Sequence, residues 1–256
     1  MKQSKRFIIL ICVCLFVFAT SCSAATNAEE TKLAKILGTM NFSSKNEILN
    51  NKNQFLQELK AVLDNDSDFL LVLVDKTHFL QPDYVPEDLI PLKKNDLYNI
   101  SRNDLSLRIP VEKALQVMSR GAKKDGITLL VSSTFRSYDY QKKLFARYVA
   151  QDGEALAERY SARAGTSQHQ LGTAIDFGSI TDEFAETKQG RWLYDHAAEY
   201  GFSLSFPAGY EDVTGYMWEC WHYRYIGKEA CALQKKWFGD IQQYMMEFID
   251  AWTRED

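Results

Sequence analysis

Hydrophobic and polar positions change period several times along this chain, and each change predicts an element. Residues 30–37 and 53–63 place apolar side chains three and four apart, the spacing of short amphipathic helices. The cluster Asp64-Asn65-Asp66-Ser67-Asp68 then reads as a turn and as the main domain boundary. A short apolar run at 70–74 predicts a strand, and three prolines within 81–91 predict extended loop. Helical spacing returns over 111–124, closed by Gly126, and a buried strand is expected at 127–132. Helices follow at 138–150, 154–163 and 190–200, the last ended by Gly201, with strands at 172–177 and within 218–226. Residues 228–252 read as a long helix with a break near Gly239. Helices and strands mix without regular alternation, which predicts an α+β fold with a small antiparallel sheet flanked by helices.

The start of the chain has a different pattern. Lys2, Lys5 and Arg6 precede an unbroken apolar run over 7–19, and small residues occupy 20–25. This is the layout of a secretory signal, with a run too short for a transmembrane helix of about 20 residues. We therefore expect residues 1–25 to be the signal, 26–66 a helical spacer or cap, and 67–256 the catalytic domain of an exported, cell-envelope protein. Two readings of the signal's end stay open. Ala19-Thr20-Ser21-Cys22 resembles a relaxed lipobox, which would put lipid on Cys22 and anchor the protein to a membrane. Cleavage after Ala24 or Ala25 is the alternative. Cys12 and Cys14 lie in the signal, leaving Cys220 and Cys231 as either a disulfide or two buried thiols.

Composition sets few further limits. A net charge of −4 gives no basic face and no reason to expect nucleic acid. The four histidines are more telling, because two sit in unusual settings. His169 lies in Ser167-Gln168-His169-Gln170-Leu171-Gly172-Thr173-Ala174-Ile175-Asp176. Gly172 permits a sharp turn, after which Ala174 and Asp176 share one strand face and Ile175 and Phe177 the other. A carboxylate inside an apolar strand is costly unless paired or metal-bound. Both readings stand: an ion held by Asp176 and His169, or Asp176 paired with His169 or an arginine. His222 lies in Trp218-Glu219-Cys220-Trp221-His222-Tyr223-Arg224-Tyr225. A flat strand would put Glu219 and His222 on opposite faces, and a bend near Cys220 would bring them together. His78 and His196 fit no ligand pattern.

Together these segments, SxHxxGxAxD and ExWHxRY, resemble the VanY-type D-alanyl-D-alanine carboxypeptidases. That family belongs to the LAS superfamily of zinc peptidases, with lysostaphin-type enzymes and the hedgehog domain. The likeness spans roughly residues 68–228 and includes Ser133-Thr134-Phe135-Arg136-Ser137. It implies a hedgehog/DD-peptidase-like fold and one Zn(II) per chain held by His169, Asp176 and His222. It also implies Glu219 as catalytic base, Arg136 as the anchor of the substrate's terminal carboxylate, and Gln141 and Ser167 as further substrate contacts. The implied substrate is the peptidoglycan stem peptide, and the implied state a monomer.

The chain departs from the family in two side chains and in a C-terminal helix longer than the family core needs. Cys220 stands where relatives usually have Pro, placing a thiol beside the expected ion. Phe206 stands where many have Tyr, removing a hydroxyl. Cleavage of the L,D bond or of cross-links, and a non-catalytic zinc-stabilised wall-binding module, are the rival readings. Glu219 weighs against the last, since a structural zinc has no use for a base. A serine hydrolase fails for want of a nucleophile motif.

Overall fold

Two separately assembled hydrophobic cores explain where each element sits. The computed structural model describes residues 27–254. The expected signal, with Cys22, lies outside them. The strands are β1 (Leu89–Pro91), β2 (Asn99–Ile100), β3 (Ser106–Arg108), β4 (Leu130–Ser133), β5 (Ala174–Phe177), β6 (Phe202–Leu204) and β7 (His222–Tyr225). The helices are α1 (residues 27–39), α2 (Lys45–Asn50), α3 (Lys52–Asp64), α4 (Ile109–Lys124), α5 (Tyr138–Asp152), α6 (Glu154–Tyr160), α7 (Lys188–His196), α8 (Glu211–Thr214), α9 (Lys228–Trp237) and α10 (Gln242–Thr253). Among the described residues no helix is long and apolar enough to cross a membrane.

The main sheet runs β2-β4-β5-β7-β6, with β1 and β3 paired apart from it. β5 is antiparallel to both neighbours, and its register sets Asp176 directly against His222 and Ile175 against Tyr223. Period-2 alternation then sorts the faces. Ile175, Phe177 and Tyr223 enter the sheet core with Val111, Leu115 and Met118 of α4. Ala174, Asp176, His222 and Arg224 take the other face. α4 starts with Pro110 in its first turn and ends at Asp125, with Gly126 at φ +74°.

The second core is entirely helical at its centre. It joins Leu33, Ile48, Phe55 and Leu59 near the start of the described chain to Trp237, Met245 and Phe248 near its end. Phe55 meets Trp237 and Phe248 edge-on, with ring centroids 5.7 and 5.2 Å apart. Each such buried ring contributes roughly 1.5–3 kcal/mol through burial alone.

The structure corrects three expectations. Residues 70–74 are extended but form no strand. Their backbone is satisfied by side chains instead: Arg224 Nη2 donates to the carbonyls of Leu70 and Val72 at 2.7 and 2.8 Å, and the Asp66 carboxylate accepts from the N–H groups of Leu70 and Leu71. The sheet is also not wholly antiparallel, since β2 joins β4 in parallel. A two-residue strand leaves no periodic trace from which to read this. The stretch 197–200 is a tighter 3-10 turn after α7, not a continuation of it. The expected break in the C-terminal helix is present, with Gly239 and Asp240 both left-handed at φ 61° and 64°.

Candidate active site

His169 is aimed by a 3-10 turn, Gln168–Leu171. The Ser167 hydroxyl caps the turn by accepting from the His169 N–H at 3.3 Å, and Gly172 ends it at φ +69°. A Cβ on Gly172 would lie 2.9 Å from Leu89 and 3.0 Å from Arg108, so both conformation and space require glycine there. His222 arrives from β7, opposite Asp176. The two imidazoles stand edge to face with centroids 4.9 Å apart. One ligand atom from each of His169, Asp176 and His222 lies within 4.8 Å of the others, all three buried.

The hydrogen positions follow from the partners. His169 Nδ1 faces the Thr134 carbonyl at 2.6 Å, and a carbonyl only accepts, so Nδ1 carries the proton. Nε2 is therefore a lone pair, and it points at Asp176 Oδ2 from 3.2 Å. His222 Nε2 faces Gln168 Oε1 at 3.1 Å, leaving Nδ1 turned toward Asp176 Oδ1 at 3.0 Å. His169 Nε2 and Asp176 Oδ1 have no hydrogen-bond partner although both are buried. Acceptors converging without a donor call for a cation between them, and this donor set suits a metal ion.

Electrostatics sharpen that reading. Burial, and then the nearby Arg136, hold His169 down at about 4, so it is neutral and ready to ligate near pH 7. Burial would raise Asp176, but the two imidazoles outweigh it and keep the carboxyl well below the usual range. Burial and the Asp176 charge push Glu219 well above its ordinary value. Two neighbouring carboxyls pushed in opposite directions are the pattern of divided acid–base roles.

The bend inferred near Cys220 exists. A turn closes from the His222 N–H to the Glu219 carbonyl at 3.2 Å and brings Glu219 Oε2 to 3.5 Å from His222 Nδ1. The Cys220 sulfur points away, toward the carbonyls of Thr181 and Asp182 at 3.6 and 3.7 Å, and burial raises its thiol to about 11. It is a packing residue, and both Cys220 and Cys231 are free and buried. Phe206 lays its ring 4.8 Å from that of His222.

His169, Asp176, Glu219, His222 and Phe206 floor a cleft of about 600 Å³. Arg136 reaches into it with Nη2 3.9 Å from Asp176 Oδ2 and its Nε unpaired. Gln141 donates to the Ala162 carbonyl at 2.6 Å while its Oε1 has no partner. Ser167 is in the same cleft. All seven expected site residues are thus brought together. His78 and His196 are elsewhere, each beside a local carboxylate, Asp75 and Glu199. A larger cavity of about 820 Å³ runs beside β6, α7 and α9 and holds none of the seven. Sequence reasoning missed Thr134, whose backbone fixes His169, and the buried Gln168, Ser205 and Gln242 behind His222. Gln168 carried a signal, as a polar residue between Ser167 and His169.

The profile of the VanY family, described as D-alanyl-D-alanine carboxypeptidase, matches residues 104–228. The putative carboxypeptidase YodJ of Bacillus subtilis (strain 168) is 32% identical over 225 residues, spanning 84% of this chain and 81% of that one. The LdcB LD-carboxypeptidase structure superposes with a TM-score of 0.62 at 33% identity, over 71% of this chain and 86% of that one. A mutant of the VanY D,D-pentapeptidase from a VanB-type vancomycin resistance cassette, in complex with Zn(II), gives 0.55 at 28% identity, over 69% and 98%. Sequence and architecture agree: the chain belongs to the VanY family of D-alanyl-D-alanine carboxypeptidases.

Proposed function

We propose that this protein is an exported zinc peptidase that removes the terminal D-alanine from peptidoglycan stem peptides. The observation that carries the reading is the buried set of acceptors on His169, Asp176 and His222, lacking a donor and flanked by a carboxyl group and a guanidinium. A VanY relative solved with Zn(II) supplies the identity of the ion. When bound there, Zn(II) supplies Lewis acidity, making water nucleophilic near neutral pH and polarising a carbonyl.

The chain's own residues do the rest. Arg136 grips the substrate's terminal carboxylate through its planar fork, which restricts cleavage to the chain end. Gln141 Oε1 and Ser167 accept hydrogen bonds from the last peptide units. A divalent cation held by His169, Asp176 and His222 would favour the ionised Glu219, and that carboxylate takes a proton from the attacking water. Water adds to the carbonyl before the last residue, the C–N bond breaks, and Glu219 passes its proton to the departing amine.

Export rests on the basic start and the apolar run over 7–19, which favour a cell-envelope enzyme. The mass of the mature N-terminal peptide decides between lipid on Cys22 and simple cleavage. A second reading, cleavage of the L,D bond, is favoured by the likeness to LdcB. Incubating the zinc-loaded protein with muropeptide tetra- and pentapeptides separates the two by mass spectrometry. Chelator-sensitive loss of one alanine from the pentapeptide is expected; loss from the tetrapeptide alone would move the assignment to the L,D bond. No loss from either would overturn the carboxypeptidase.

A further inference from the structure

The two histidines that converge on Asp176 are oriented by different kinds of partner. His169 is held by a backbone carbonyl, which cannot change character. His222 is held by the side-chain amide of Gln168, which can present either its oxygen or its nitrogen. The Gln242 neighbour settles which, because the Ser205 hydroxyl adapts to either. The Ser205 hydroxyl donates to Gln168 Oε1 at 2.7 Å, and Gln168 Nε2 donates to Gln242 Oε1 at 3.3 Å. Gln242 is oriented in turn by the main chain, since its Nε2 donates to the Ser203 carbonyl at 3.5 Å. That carbonyl only accepts, and the polarity of every later link follows from it. The Gln242 oxygen faces Gln168 and the Gln168 oxygen faces His222, so the proton between them lies on His222 Nε2. Nδ1 is left as the lone pair beside Asp176 and Glu219. Gln168, Ser205 and Gln242 are all buried, so bulk water offers no substitute partner.

We infer that Gln242, in the first turn of α10, is a positioning residue for the metal site. Acting through Gln168, it fixes His222 in the tautomer that leaves Nδ1 for the ion. The inference rests on the zinc reading above and goes beyond it, because α10 lies outside the stretch that matches the family profile. It gives the C-terminal helix a part in the chemistry. Hydrogen-bond partners one step behind a ligating histidine, such as Gln168, typically change metal affinity 10–100-fold, and Gln242 one step further should act at the low end of that range.

The test measures zinc affinity by chelator competition on the full chain, together with nitrogen-15 spectra of the imidazoles in metal-free protein. Gln242→Met keeps the bulk but neither accepts from Gln168 nor donates to Ser203. It should weaken zinc binding up to about 10-fold and give His222 a mixture of tautomers. Gln242→Glu, as a buried neutral acid, offers the same acceptor and donor and should restore both readouts. Met245→Ala loosens the same helix through the apolar core, and it should lower the melting temperature without moving zinc affinity. Wild-type affinity and a single Nε2–H signal in Gln242→Met would overturn the inference while leaving the zinc reading intact. A wild-type chain that binds no zinc would remove both.

Discussion

The sheet core and the helical core contribute different things to the same site. The sheet core is drawn from residues 92–223 and presents Asp176 and His222 on adjacent strands. The helical core unites residues 33–73 with 226–249 and presents no metal ligand. It meets the site only through polar side chains of α10: Gln242 behind His222, and Gln243 in the cleft wall. Chemistry therefore sits on short strands whose register leaves little freedom, while the helices supply bulk and a few oriented amides.

The largest effect should come from the sheet side. Asp176→Ala leaves two imidazoles without their shared carboxylate, and bound zinc, counted by elemental mass spectrometry, should fall to background together with activity. Retained stoichiometric zinc would show that the ligand set is wrong. Glu219→Gln should separate proton transfer from binding, with turnover reduced about 10²–10⁴-fold and zinc still present. Full turnover in that variant would remove Glu219 from the mechanism. On the helical side, Phe55→Ala should cost about 3–5 kcal/mol in denaturant unfolding, with kcat of the folded fraction nearly unchanged. A large fall in kcat would mean that the two cores are not separable.

The smallest effect is a pH slope, and it has a definite sign. In metal-free protein His169 titrates near 4 when folded and about 6.5 when unfolded. The unfolded chain binds the extra proton between those values, so this group makes stability rise with pH. Glu219 is raised, so the folded chain holds the extra proton above its ordinary value near 4.5, and stability falls with pH. Between about pH 4.5 and 6.5 the two slopes oppose each other. Glu219→Gln should therefore steepen the rise of stability with pH in that window. An unchanged slope would mean that Glu219 titrates as an ordinary exposed carboxyl.

Much of the site was legible because it depends on local order. His169, Gly172 and Asp176 sit within one turn and one strand, and Glu219 and His222 within one turn. Their spacing carries the geometry. The supporting structure was less legible because it depends on long-range pairing. Residues 70–74 have a strand's composition, yet Arg224, 154 positions from Leu70, claims their carbonyls. α2 is six residues long with one buried side chain, too little for a periodic signal. The pairing of α3 with α9 leaves no mark in either segment beyond an apolar face. Gln242 looks like a polar residue on an apolar helix until the fold brings it behind His222.

The union of the two ends has a consequence for how the molecule is born. Trp237 Nε1 donates to Glu58, 179 positions earlier in the chain. A ribosome moving at about 5–20 residues per second completes α1 to α3 many seconds before their partners exist. During that interval Ile48, Phe55 and Leu59 have nothing to cover them. The acceptor behind His222 arrives later still, on α10. Nascent chains should therefore pass through a sticky stage, and the full affinity for an ion should come only after α10 has joined the fold.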